Sequence, residues 1–145
     1  MTFAVTLGAG ALIVCGFTHY LAMHWLYRWV LCCALGKALK SQLLLIALVL
    51  VHLVEAAVYT IAFALGARLG LGGFIQSEPV SAMSSYYFSL VNYTSLGLGD
   101  IYPSGHQRFI AGLESLNGFL LISCSAALLF LSATQANPKE ASHAA

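Results

Sequence analysis

Three apolar stretches, residues 3–25, 42–67 and 109–134, each match or exceed the roughly 20 helical residues needed to cross a hydrocarbon core. A chain built around them falls outside the range of soluble domains, since 60% of its 145 residues are hydrophobic and 8% are charged. It reads as an all-α membrane protein with three spanning helices. The first stretch is expected to be a spanning helix rather than a signal peptide, since no Lys or Arg precedes it and its apolar length exceeds a usual signal core. It is expected to be retained, with its N-terminus outside.

The basic residues set the orientation. Arg28, Lys37 and Lys40 crowd the first connection, which is therefore assigned to the cytoplasm. Residues 68–108 then lie outside, and Lys139 with the C-terminus returns to the cytoplasm. Trp25, Tyr27 and Trp29 suit the inner interfacial belt. Six Lys and Arg against five Asp and Glu leave no basic stripe, so nucleic acid is not an expected partner. Cys15, Cys32, Cys33 and Cys124 have no spacing that suggests a disulfide framework or a zinc site, and read as buried free thiols.

Between the second and third stretches lies YYFSLVNYTSLGLGDIYP, residues 86–103. Before it, residues 71–78 are Gly-rich, Pro79 closes the turn, and Ser81 is placed to cap a helix over residues 82–93. Twelve residues of helix reach about 18 Å, too short to span. A short helix that enters a membrane needs a return path, and irregular backbone at that depth must be buried in protein or line a water-filled cavity. The return path is TSLGLGD, where Gly97 and Gly99 alternate with Leu96 and Leu98. Every second residue is thus free to take backbone angles closed to other residues. Such alternation aims successive carbonyls to one side, and carbonyls stacked around an axis replace the water shell of a cation. The C-terminal end of the short helix adds partial negative charge beneath them.

Thr94, Ser95, Leu96, Gly97, Leu98, Gly99 and Asp100 resemble the TTVGYGD signature of potassium channels, and Tyr102 and Pro103 continue the match. Arg108, followed ten residues later by Gly118, resembles the start and hinge of that superfamily's inner helix. With its extra N-terminal span the chain is similar to small bacterial potassium channel family proteins. The resemblance implies a pore module over residues 42–134: outer helix 42–67, re-entrant pore helix 82–93, selectivity filter 94–100 and inner helix 109–134. Residues 1–41 would be an additional helix and cytoplasmic loop, and residues 135–145 a short cytoplasmic tail. It further implies a homotetramer in the inner (plasma) membrane, surrounded by lipid, conducting K+ passively. The backbone carbonyls would hold the ion. No enzyme activity, cofactor, other metal or small-molecule substrate is expected.

The departures from the signature are informative. Ser95 keeps the hydroxyl of the family's Thr, Leu96 replaces Val, and Leu98 replaces the Tyr that ties the filter to pore-helix aromatics. A weakly selective cation pore therefore stands beside the potassium-selective reading. Val91 occupies the place where some bacterial filters carry a Glu paired with the signature Asp. Tyr87 is then the expected donor to Asp100; the other reading has Asp100 simply facing the outer water. Tyr87, Phe88 and Glu114 are expected to support the filter. Glu114 either accepts hydrogen bonds from the pore helix or filter, or packs with Asn92 or His52. Gly118 is the expected hinge, Ile122, Ala126 and Phe130 the expected cavity lining, and Phe130 an apolar constriction.

Ionisable residues inside spans are costly and demand a reason. His52 and Glu55, three apart on the second helix, form either a metal or proton site or a hydrogen-bonded structural pair. His19 and His24, five apart, share no face, so no third ligand lines up and the structural pair is expected. His106 falls at the outer mouth. No helix carries a ladder of Arg residues, so voltage sensing by such a helix is not expected, and the short tail leaves no expected gating domain. Two other classes compete with a conducting channel: a redox or metal protein using His19, His24, His52 and Glu55, and a non-conducting pore-like subunit that regulates another channel.

Overall fold

The computed structural model describes residues 1–77 and 79–134; the expected tail, with Lys139, lies outside the described residues. The order is α1 (Thr2–Cys32), α2 (Lys37–Arg68), β1 (Phe74–Ile75), α3 (Ala82–Tyr93), β2 (Tyr102–Pro103) and α4 (Gln107–Thr134). The long helices have 31, 32 and 28 residues, or about 42–48 Å at the helical rise. All three are long and apolar enough to cross a membrane, and the protein is a multi-pass membrane protein.

The first two helices run longer than their apolar cores suggest. Residues 26–32 contain no Gly or Pro, so nothing stops α1 until Cys33 turns extended (φ −78°, ψ 123°). Gly36 caps α2. Arg28 therefore sits within α1 and Lys37 and Lys40 within α2, which shrinks the expected loop to a tight hairpin. Lys40 Nζ closes it by donating to the Val30 carbonyl at 2.9 Å, where the end of α1 carries partial negative charge.

Helices α1, α2 and α4 pack on one another in pairs. The main core joins Ala4, Cys15, Tyr59, Phe63, Phe88, Tyr93 and Ile110, and a smaller one at the hairpin end joins Val30, Leu44, Leu48 and Leu128. Among the cysteines Cys15 alone is buried, while Cys32 and Cys124 are exposed and Cys33 is half-buried. Buried thiols were expected throughout; outward-facing positions on apolar helices account for the difference, because in lipid an apolar run does not mean a protein interior.

Between α2 and α4 the chain is tightly closed. A Schellman motif ends α2: Gly70, at φ 69°, donates to the Ala67 carbonyl at 3.1 Å and Leu71 to that of Gly66 at 3.0 Å. Strands β1 and β2 pair antiparallel, Phe74 opposite Pro103 and Ile75 opposite Tyr102. This amends the all-α expectation by a short ladder, and it joins the segment before α3 to the segment after residue 100. At the start of α3, Ser81 Oγ accepts from the Ser84 amide at 3.0 Å and Ser84 Oγ accepts from the Ser81 amide at 2.8 Å. That reciprocal cap satisfies two amides that have no partner inside the helix.

Candidate functional site at the end of α3

Helix α3 ends in the same way as α2, with one difference in residue type. Ser95 donates to the Asn92 carbonyl at 2.9 Å and Leu96 to that of Val91 at 3.1 Å, again a Schellman arrangement. The left-handed position is Ser95, at φ 58°, where glycine is usual. Placing a side chain there costs about 1–2 kcal/mol. Two residues on, Gly97 has φ 57°, and two further, Gly99 has φ 79°. Leu96 and Leu98 do not share that sign, so backbone handedness alternates along the segment. No carbonyl from residue 94 to residue 99 accepts a hydrogen bond among the described residues. All seven residues from 94 to 100 are exposed on the single chain. Unpaired carbonyls at membrane depth are costly, and oxygen ligands of this type suit hard cations.

Side chains of α3 fix the segment's starting point. Glu114, fully buried on α4, contacts the Ser89 hydroxyl and accepts from Asn92 Nδ2 at 2.7 Å. Ser89 Oγ also lies 2.8 Å from the Ala56 carbonyl, Asn92 Nδ2 donates to the Ala111 carbonyl at 2.9 Å, and the Ser115 hydroxyl donates to the Asn92 carbonyl at 2.9 Å. Glu114 thus meets α3 side chains, and among the described residues it meets neither His52 nor the backbone of residues 94–100. Phe88 packs tilted against Phe74 and edge-on against Phe63, with ring centroids 4.8 and 5.4 Å away. Tyr86 donates to the Leu53 carbonyl of α2 at 3.0 Å.

The far end of the segment is held by Tyr87, whose hydroxyl donates to Asp100 Oδ2 at 2.9 Å, while Asp100 Oδ1 accepts from the Ile101 amide at 3.1 Å. The carboxylate that accepts its hydrogen bond holds the Tyr87 phenol above its usual range. Asp100 therefore has a partner and is exposed at the same time.

On α4, Gly118 is buried, and a Cβ there would overlap the Tyr93 carbonyl. Its glycine is required by close approach to α3, a role distinct from the expected hinge. Ala126 and Phe130 lie on an exposed row with Phe119 and Ser123. Ile122, expected beside them, is half-buried and packs against the chain's own core. Phe119, Ser123, Ala126 and Phe130 follow one exposed helical stripe.

His52 and Glu55 do meet, His52 Nδ1 lying 2.8 Å from Glu55 Oε2. Contrary to the expectation that no third side chain aligns, His19 of α1 brings its Nδ1 to 3.0 Å from Glu55 Oε1, and Tyr93 of α3 donates to Oε2 at 2.6 Å. His24 is apart, stacked on Tyr20, and His106 is exposed. Sequence reasoning also missed Ser89 and two buried ties between helices. Asn117 Nδ2 donates to Tyr59 Oη at 3.1 Å, and Gln107 Nε2 to the Phe63 carbonyl at 3.0 Å. The available signal was a polar residue isolated in an apolar run, since in lipid such a side chain seeks a partner on another helix.

No curated protein and no solved structure matches this chain. A family model described as an ion channel matches residues 46–134, which include most of α2 and all of α3, the 94–100 segment and α4. The chain belongs to this ion channel family.

Proposed function

We propose that the chain forms a potassium-selective channel as a homotetramer, with α3 as a re-entrant pore helix, residues 94–100 as the filter, and K+ held by the carbonyls of that segment. The observation that carries this reading is the alternating left-handed backbone at Ser95, Gly97 and Gly99, combined with carbonyls that find no partner within the chain. One chain supplies one such row, so encircling an ion takes copies related by closed symmetry. The exposed apolar face of α4, with Phe119 63% and Leu116 55% exposed, and the exposed Leu96 and Leu98 offer surface for those copies to cover. The orientation follows the basic hairpin: Arg28, Lys37 and Lys40 on the cytoplasmic side of the inner (plasma) membrane, the N-terminus and the 94–100 segment toward the outside.

Potassium is favoured over a weakly selective cation pore because the segment's ends are braced, by Asn92 and Glu114 at one and Tyr87 with Asp100 at the other. Bracing keeps the ring from collapsing onto a smaller ion. Reconstitution of the purified chain in liposomes with a potassium gradient tests the reading. Barium-sensitive K+ flux that exceeds Na+ flux is expected; equal fluxes would assign a weakly selective pore, and no flux a regulatory subunit.

A further inference from the structure

The side chains gathered around Glu55 have no part in the ion path proposed above. His19 comes from α1, His52 and Glu55 from α2, and Tyr93 from α3. Glu55 is 0% exposed, Tyr93 1% and His19 3%. A carboxylate sealed within a membrane protein needs a compensating positive charge. Its side-chain partners among the described residues are two imidazoles and a phenol, none with a fixed charge. We propose that His19, His52 and Glu55, with the Tyr93 oxygen as a further ligand, form a transition-metal site that takes a zinc-class divalent cation.

The geometry is close to what such an ion requires. The ligand atoms of His19, His52 and Glu55 all lie within 4.8 Å of one another. His19 Nδ1 is 3.0 Å and His52 Nδ1 2.8 Å from the carboxylate, and Tyr93 Oη is 3.1 Å from His52 Nδ1. Ligands bound tetrahedrally at about 2.0 Å stand about 3.3 Å from one another, so taking up the ion moves Tyr93 Oη out from its 2.6 Å contact with Glu55 Oε2 and draws together His and Glu ligand atoms that already lie within 4.8 Å of one another. On binding, each neutral imidazole carries its single proton on Nε2, which leaves the Nδ1 lone pair for the cation. Loss of the phenol proton to water then leaves two positive charges on the metal balanced by one carboxylate and one phenolate.

The outer partners fit as well. A metal-bound imidazole donates its remaining N–H to an acceptor, and His52 Nε2 lies 2.9 Å from Ser125 Oγ. His19 Nε2 is buried with no hydrogen-bond partner among the described residues. The Cys15 Sγ is turned to the Glu55 backbone carbonyl at 3.6 Å. The ligand set is therefore nitrogen and oxygen, which selects zinc-class ions over soft monovalent copper.

The test uses the full chain purified without a polyhistidine tag, stripped with chelator and titrated with Co²⁺ and, separately, Zn²⁺. Visible d–d absorption from bound Co²⁺ and about one metal per chain are expected. Glu55→Gln and His19→Gln should each weaken binding more than about tenfold while helical circular dichroism is kept. A wild-type chain that holds neither ion above the protein-free control overturns the proposal, and so does binding by both variants as tight as the wild type's. Because the wild-type spectrum decides even where a variant fails to fold, and no flux is read, the outcome is separate from that of the conduction reading.

Discussion

Gly118 of α4 lies against the carbonyl of Tyr93, the last residue of α3, with no room for even a methyl group between them. This contact sets where residues 94–100 begin relative to α4. Gly118→Ala must push the two helices apart, and overpacking of this kind costs about 1–3 kcal/mol. Thermal unfolding in detergent should show a lowered midpoint, and K+ flux per chain should fall with it. An unchanged midpoint would mean that α4 bends away freely, as a hinge does.

Tyr87→Phe removes the donor to Asp100 Oδ2 and leaves the ring. Conductance or inactivation should change in single-channel recording, with little effect on unfolding because both groups are exposed. The sign with pH follows from the phenol's raised pKa: the bond is intact below the usual phenol range near about 10 and is lost only as pH rises beyond it. Recordings between neutral and moderately alkaline pH should therefore show no step attributable to Tyr87.

Glu114→Gln replaces one of two carboxylate oxygens with a donor, placed among the donors of Ser89 and Asn92. Leaving buried groups mismatched costs about 1–3 kcal/mol. If α3 positions the filter, the ratio of K+ to Na+ flux should fall together with the unfolding midpoint. A lower midpoint with unchanged selectivity would assign Glu114 to packing alone.

Phe130, 71% exposed on the single chain, continues the row of Phe119, Ser123 and Ala126. In the proposed pore four such rings form an apolar constriction, and dewetting there closes it. Phe130→Ala should raise open probability in planar bilayers. An unchanged or reduced value would place the gate elsewhere.

The parts readable from sequence were those set by local rules. Apolar length gave the three spans, Ser81 marked the start of α3, and the alternation of Gly97 and Gly99 with leucines marked a backbone of unusual handedness. What stayed hidden depends on contact between helices distant in sequence. His19 was compared with His24 on its own helix, but its partner is Glu55, 36 residues away. The close approach of Gly118 to the Tyr93 carbonyl stayed hidden because spacing along one helix cannot show what lies across from it. Ser95 was read for its hydroxyl, although its left-handed φ is what turns the chain out of α3. The hairpin between α1 and α2 was drawn too long because Arg28, Lys37 and Lys40 were taken as loop residues, while long basic side chains extend readily from helix ends.

The central claim, that the carbonyls following α3 replace a potassium ion's water, is tested most directly by concentration-dependent K+ flux through liposomes holding the purified chain, beside the Gly97→Ala variant. Wild-type vesicles should pass K+ in preference to Na+ and be blocked by barium. The variant, forced from φ 57°, should remain oligomeric and pass neither ion. Wild-type vesicles impermeable to K+, or a variant that conducts as the wild type does, would contradict the account.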